Sequence, residues 1–492
     1  MMREPGAAGA RRTEGTRLPV TPGYIIARED RFTVWPLPFG YLLVLGMGFL
    51  FTFYDVFDIN VSFIQTCVEI VRGCTPVSAS QSIGLPTLLN LVGYVIGAVT
   101  LTSIADRFGR RNTMLLTLAV TAIGAIYSAV SMDYLNFNLS RLLTGVGVGA
   151  DLAVVNAYIG EVAPTSGRAR YTSFAFINSS LGAFLGIWLG LLLTTTAEPF
   201  PLGLPFALAS PSFTFGWRLM YIIAVALCIL GILLRMLLPE SPRWLVSVGQ
   251  VAKADAIVRR MEEHVARKHT LAPVTQEAKF RQEKQMGYAE IFRNPVYLKR
   301  MLLLLVVWFL AYITVFSIAA GFTSILASLG YPPPEAGLIA AIGVFGFIAC
   351  AVFAYFYGEY LERKYWLPIM AVITLIGGLM VAIAGQPTPH TIPWVAFIGS
   401  IILFFGFNGW VPQTYAWSAE NFPTRARVTG FGLVDGIGHV GGGIGLVAIT
   451  PILPEIGPVP SFLLIGGFLV VAAIIAQFGV NTRGKSLEDV SP

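Results

Sequence analysis

Apolar stretches of about 20 residues recur twelve times along the 492-residue chain, each long enough to cross about 30 Å of hydrocarbon. They fall near 38–66, 81–103, 113–131, 137–161, 171–196, 216–238, 299–328, 335–358, 366–385, 392–418, 427–452 and 459–480. Strands of a membrane barrel would be near ten residues long with strict alternation, so these spans predict helices. Composition points the same way. With 55% hydrophobic and 12% charged residues, the chain has too little polar surface for a soluble globule and too little charge for a disordered one. The expected fold class is an all-α membrane protein of twelve transmembrane helices.

With the N-terminus inside, every Lys and Arg falls on the cytoplasmic side except Arg72, Arg141 and Arg218. This positive-inside pattern predicts a multi-pass protein of the cell membrane with both termini cytoplasmic. Residues 1–35, with six Arg, read as a disordered cytoplasmic tail that lacks a removed signal peptide. Residues 36–238 hold six spans. Residues 239–297 form a cytoplasmic linker, in which KADAIVRRMEEHVARKH (253–269) has the pattern of a charged amphipathic helix. Residues 298–480 hold the other six spans, and 481–492 form a short cytoplasmic tail. Two equal halves joined on the cytoplasmic side suit an alternating-access carrier.

The halves carry matching loop motifs. After span four stands Tyr158-I-G-Glu161-V-A-Pro164-Thr165-S-G-Arg168-A-Arg170, and after span ten Tyr415-A-W-S-A-Glu420-N-F-Pro423-Thr424-Arg425-A-Arg427. After span two stands Asp106-Arg107-F-Gly109-Arg110-Arg111, and after span eight a shorter Glu362-Arg363-Lys364. The repeat predicts pseudo-symmetric six-helix halves. Residues 36–488 resemble the major facilitator superfamily. D-R-F-G-R-R is similar to its loop 2–3 motif. PESPRWL (239–245, with Glu240 and Arg243), both E-x-x-P motifs and the closing Arg483-Gly484-Lys485-Ser486-Leu487-Glu488 resemble the sugar porter branch. In physical terms, Asp106, Glu161, Glu362 and Glu420 face Arg107, Arg110, Arg111, Arg168, Arg170, Arg363, Arg425 and Arg427 in one layer. They are expected to latch the two halves together at the inner face when the carrier faces outward, since charge pairs strengthen away from bulk water.

Ionisable residues inside spans are costly and are functional candidates. Here they are Asp55 and Asp58 in span one, Arg141 and Asp151 in span four, and Asp435 and His439 in span eleven. A rise of about 1.5 Å per residue places Asp58 and Arg141 at one height, roughly 30 Å above the inner edge, with Asp151 at about 15 Å. Asp58–Arg141 is the expected coupling pair, since a carboxyl that gains and loses a cationic partner during turnover can take up and release a proton. Asp151 is the expected proton or substrate site, and Asp435 with His439 a relay or substrate contact. D-V-F-D at 55–58 resembles the span-one motif of aromatic-acid:proton and phosphate:proton symporters. G-V-G-V-G-A-Asp151 resembles the span-four motif of the latter.

Asn178, Trp188, Trp308, Tyr312, Asn408, Trp410, Gln413 and Tyr415 are candidates to line a solute cavity, where rings would stack on a sugar or an aromatic acid. The span-seven Gln pair and the span-ten G-P-x-P-W of sugar porters are absent. The reading is a proton-coupled symporter of a small polar organic solute, a sugar or an organic or aromatic acid. Rival readings are a proton-independent uniporter, an inorganic phosphate:proton symporter, a drug antiporter and a transporter-like nutrient sensor. No Ser/His/Asp set, metal-ligand spacing or Walker motif is present, so an enzyme, a metal, a cofactor and ATP drive are not expected. The expected partners are the solute, protons and lipid, without nucleic acid, and the expected state is a monomer. Cys67 and Cys74 bracket a short outer loop, either bridged or as free thiols, while Cys228 and Cys350 lie within apolar runs.

Overall fold

The computed structural model describes residues 21–164, 168–274, 288–358, 360–385, 394–422 and 427–483, leaving aside the side chains of 102, 103, 106, 168–170, 172, 173, 175, 288–290 and 427–429. The side chains of Asp106, Arg168, Arg170 and Arg427, and all of Arg425 and of 484–488, thus lie outside the described residues.

Lipid offers no hydrogen-bond partner, so each span satisfies its own backbone as a helix. The chain begins with α1 (Pro22–Asp30). The first half comprises α2 (Phe39–Ile70), α3 (Ala79–Phe108), α4 (Arg110–Val130), α5 (Tyr134–Val162), α6 (Arg168–Thr194) and α7 (Gly216–Arg235). The linker carries α8 (Pro242–Ser247), α9 (Val251–Ala266) and α10 (Tyr288–Arg293). The second half comprises α11 (Pro295–Ala319), α12 (Phe322–Ser328), α13 (Pro333–Tyr357), α14 (Trp366–Ala384), α15 (Trp394–Gly409), α16 (Val411–Glu420), α17 (Arg427–Ile449), α18 (Leu453–Ile456) and α19 (Pro458–Ala476). Among the described residues, twelve spans are long and apolar enough to cross a membrane, α15 and α16 together forming one.

Two expected spans are broken. Span seven divides between α11 and α12, where Ala320 and Gly321 both donate to the Phe316 carbonyl, at 3.0 and 3.2 Å. Span ten divides at Trp410, because Pro412 brings no N–H to the turn that follows.

The helix pairing repeats between halves. In the first half α2 packs on α6 and α7, α3 on α5, and α4 on α5 and α7. In the second, α11 packs on α17 and α19, α13 on α15, and α14 on α15 and α19. The halves meet through α3 with α17 and α6 with α13, contacts that exchange equivalent helices and so follow a pseudo-twofold axis. Small residues permit the tightest pairs. A Cβ at Gly93, Gly97, Gly145 or Gly149 would strike the carbonyls of Leu142, Val146, Asn90 or Tyr94 across the α3–α5 seam. Gly346 meets Ile401 in the same way between α13 and α15.

At the end of the bundle opposite the linker, Cys67 and Cys74 form a disulfide with a Cα–Cα distance of 5.8 Å. On the linker side, the expectation of a disordered tail over 1–35 fails at residues 22–30. Thr21 caps α1 by accepting from the Tyr24 N–H at 3.1 Å, and Pro22 suits the first turn. Ile25 and Ile26 pack against Trp244, Leu245 and Val258 of the linker. Arg28 bonds Asp255 at 2.5 Å and Glu262 at 2.6 Å, and Arg31 also pairs with Glu262. Residues 1–20 lie outside the described set.

Candidate functional site

Three buried polar clusters and an ionic layer on the linker side bring the candidate residues together. The first lies in the part of the N-terminal half remote from the linker. Arg141 of α5 grips Asp55 of α2, bonding Oδ1 at 2.8 Å, Oδ2 at 3.2 Å and the Asp55 carbonyl at 2.8 Å. Asn90 of α3 donates to Asp55 Oδ2 at 3.1 Å and to Thr144 Oγ1 at 3.0 Å. Asp58 is fully buried, its Oδ1 is 3.9 Å from Arg141, and neither of its carboxyl oxygens has a hydrogen-bond partner. Arg141 thus stands between two carboxyls, in two-point contact with Asp55 and 3.9 Å from its expected partner Asp58. Height along the helix axis placed Asp58 level with Arg141, but the fork of the guanidinium meets Asp55 in two-point geometry.

The second cluster lies deeper in the same half. Asp151 of α5 pairs with Arg235 at the end of α7, which also bonds Asp151 Oδ2 at 2.9 Å and the Met114 carbonyl at 3.1 Å. Thr117 of α4 donates to Asp151 Oδ1 at 2.7 Å. Gly48 of α2 lets the pair in, since a Cβ there would strike both Arg235 and Asp151. Asp151, the expected proton or substrate site, is thus held by a salt bridge from a residue counted, in the sequence, as an ordinary cytoplasmic cation.

The third cluster spans the seam between halves. Asp435 of α17 accepts from Tyr312 of α11 at 3.0 Å and from Tyr94 of α3 at 3.2 Å. Tyr312 and Tyr415 share a hydroxyl bond of 3.1 Å. His439 is clasped between the Tyr94 ring at 4.2 Å and the Tyr312 ring at 4.1 Å, with Nδ1 2.8 Å from the Asp435 carbonyl and 3.4 Å from its Oδ1. Trp308 stacks on Tyr415 at 5.0 Å, lies 5.2 Å from Trp410, and donates to Ser418 at 2.8 Å. Four of the eight cavity candidates therefore surround Asp435 and His439. Trp188 packs on Phe184 and Phe345 at the α6–α13 seam. Asn178 is half-buried and bonds the Phe174 carbonyl. Asn408 faces Cys350, and Gln413 lies against Gly358, both directed toward α13.

Above this level the halves are held together. Asn60 of α2 donates to the carbonyls of Ile318 and Ala319, both at 2.8 Å, and accepts from Thr323 Oγ1 at 2.6 Å. These groups stand at the α11–α12 break. Gly337 packs on Val61 and Leu191, and Phe200 on Phe397. At this end the two halves are in contact.

At the face that carries the linker Arg110 bonds Glu161 at 2.8 Å. Glu240 accepts from the backbone N–H groups of Arg110 (2.9 Å), Arg111 (3.2 Å) and Ser241 (3.0 Å), placing a carboxylate on the positive N-terminus of α4. Burial nonetheless pushes the Glu240 carboxyl above its usual range. Gly109, at φ +95°, makes the α3–α4 corner, where any Cβ would strike Glu240. Arg243 bonds the Glu161 carbonyl at 3.0 Å and pairs with Glu29 and Asp30, while Arg107 is exposed. In the other half Arg363 pairs with Glu420 at 3.4 Å, and Glu362 accepts from the N–H groups of Arg363 at 3.1 Å and Thr482 at 3.0 Å. Among the described residues these ion pairs join groups of one half, or a half to the linker region. The latch expected between the halves belongs to the outward-facing state. The repeated sequence marks a repeated bracket at the base of each half, Arg110 on Glu161 in the first and Arg363 on Glu420 in the second.

The model of the family described as sugar (and other) transporter matches residues 42–492. The chain belongs to that family. Among relatives in this transporter family, an inner membrane metabolite transport protein of Escherichia coli is 26% identical over 82% of this chain and 85% of its own length. The niacin transporter of Acinetobacter baylyi is 23% identical over 95% of this chain and 99% of its own. The crystal structure of a D-xylose-proton symporter superposes with a TM-score of 0.68 at 19% identity, covering 91% of this chain and 99% of that one. The fold is that of the major facilitator superfamily, and the chain is a multi-pass membrane transporter. Of the residues that build the clusters in this family member, sequence reasoning passed over Asn60, Asn90, Tyr94 and Arg235. Asn60 had a signal, being an amide two residues beyond Asp58 within an apolar run. Arg235 and Tyr94 had none, since each stands where spans commonly carry a cation or an aromatic residue.

Proposed function

We propose that the protein is a proton-coupled symporter of a small, ring-bearing polar solute, a sugar or an aromatic acid, working by alternating access in the cell membrane as a monomer with both termini cytoplasmic. The observation that carries the coupling is Asp58. It is a fully buried carboxyl whose oxygens lack partners, 3.9 Å from an arginine already committed to Asp55. A lone charge at such a site is costly, whereas a protonated carboxyl can exchange its proton when Arg141 shifts between the two aspartates.

The solute is held where the halves meet. Tyr94 from one half and Tyr312, Tyr415, Trp308, Asp435 and His439 from the other present ring faces with polar atoms between them, a combination that suits sugars and aromatic rings alike. Both buried arginines of the N-terminal half are engaged by carboxylates, which favours such solutes over inorganic phosphate. The names of relatives that carry niacin and D-xylose span the same two solute classes.

The test is reconstitution in liposomes with a pH-sensitive dye inside, adding sugars, aromatic acids, small carboxylates and phosphate in turn. Solute-driven acidification that Asp58→Asn abolishes is expected. Uptake without a pH change, equal in the variant, would leave a uniporter and refute coupling.

A further inference from the structure

A cleft of about 500 Å³ lies at the cytoplasmic face, between the starts of α2 and α6, the end of α9 and the end of α13. This volume is within the range of small-molecule sites, roughly 300–1,000 Å³. It is separate from the three clusters above, and its chemistry is different. One wall is aromatic, with Trp35, Phe174 and Tyr355. The other carries His264, Lys268 and His269, so two of the chain's four histidines share one site with a lysine. Cations at the end of α9 would complement the helix dipole wherever they pointed. The dipole does not account for Trp35, which is 8% exposed and whose indole N–H has no hydrogen-bond partner. Indole nitrogen only donates, and no acceptor among the described residues reaches it. Buried polar groups in proteins are otherwise nearly always paired.

We propose that this cleft binds a phosphate-bearing ligand with an apolar body, its phosphate held by His264, Lys268, His269 and the Trp35 indole and its body resting on Phe174 and Tyr355. A phosphate offers several strong acceptor oxygens to cationic donors. Two sources share this chemistry, an anionic phospholipid of the cytoplasmic leaflet and a soluble organic phosphate. Tyr355 belongs to the C-terminal half and the other lining residues to the N-terminal half and linker, so an occupant touches both halves at the face that must close for the carrier to open outward.

The full-length protein in detergent would be titrated with dihexanoylphosphatidylglycerol and, separately, with phenyl phosphate, following intrinsic fluorescence and native mass spectrometry. Saturable binding of at least one probe is expected. It should weaken at least tenfold in the His264→Gln/Lys268→Gln/His269→Gln triple variant and also in Trp35→Phe, which keeps the ring and removes the donor. Binding of the lipid alone assigns the site to a headgroup, and binding of phenyl phosphate alone assigns it to a soluble phosphate. Either supports the proposal. No saturable binding of either probe, or equal binding by wild type and the triple variant, overturns it. The triple variant changes only half-exposed or exposed side chains, so it remains decisive if Trp35→Phe folds poorly.

Discussion

Asp55 and Asp58 stand one turn apart on α2, yet only Asp55 is gripped by Arg141. Their substitutions should therefore differ in kind. Asp55→Ala takes away the two-point partner of Arg141 and leaves it Asp58 at 3.9 Å, so the loss should approach the about 3–5 kcal/mol of a broken buried pair and lower the melting temperature in detergent. Asp58→Asn removes no hydrogen bond, only the looser contact with Arg141 at 3.9 Å, and should melt close to wild type while losing proton coupling. Equal melting of the two variants would contradict the assignment. Arg235 poses the same question deeper in the bundle. Arg235→Gln leaves Asp151 with Thr117 as its remaining partner and should destabilise by a similar amount, whereas Arg235→Gln with Asp151→Asn should recover much of the loss, because the desolvated charge disappears with its partner. A double-mutant cycle on melting measures it.

Elements are positioned by close approach as much as by hydrophobicity. Gly93 and Gly97 of α3 and Gly145 and Gly149 of α5 let two backbones touch, and the same seam places Asn90 on Asp55 and carries Tyr94 to the boundary between halves. Gly97→Leu or Gly145→Leu must push the helices apart, at about 1–3 kcal/mol or more for overpacking. Lower expression of folded protein and loss of transport are expected. Gly160→Leu, where a Cβ meets nothing, serves as the control and should be mild. The α1 strap is a second element-scale feature. Burial pushes Asp255 up, but hydrogen bonds from Arg28 and Arg259 outweigh it and hold the carboxyl below its usual range. A carboxylate with a lowered folded pKa contributes stability that is present above its unfolded value, near 3.9 for Asp, and is lost as pH falls through the folded value. The protection factors of α1 amides should thus stay constant from neutral pH to about 5 and fall below about 4, and Arg28→Gln, which leaves Asp255 only Arg259, should weaken that dependence.

For the whole molecule, closure of the outer side rests on few polar bonds. Asn60 supplies acceptors and donors to the α11–α12 break, where the backbone has lost its own partners. Asn60→Leu leaves those groups unpaired in the closed state, at about 1–3 kcal/mol, and so shifts the carrier toward outward opening by roughly tenfold. A cysteine at Val61, buried in the same seam, reports this through labelling with an impermeant maleimide. Cys67 and Cys74 are bridged and Cys228 and Cys350 are buried, so the background is low. Faster labelling at position 61 in the Asn60→Leu background is expected, and an unchanged rate would remove Asn60 from the gate.

Twelve spans, their helical class, the repeated motifs and the family were legible in the sequence, because span length, charge asymmetry and loop motifs are properties of continuous segments. The grouping of Trp308, Tyr312 and Tyr415 with Asp435 and His439 was partly legible too, as aromatic and ionisable residues inside apolar runs are conspicuous. Tertiary structure alone decided which aspartate Arg141 holds, that Arg235 closes Asp151, that Asn60 and Tyr94 join the halves, that spans seven and ten break, and that residues 22–30 dock on the linker. These depend on rotation about each helix axis and on approach between segments up to hundreds of residues apart. Height along a helix can be counted from the sequence, but azimuth and distance between helices arise only when the bundle packs.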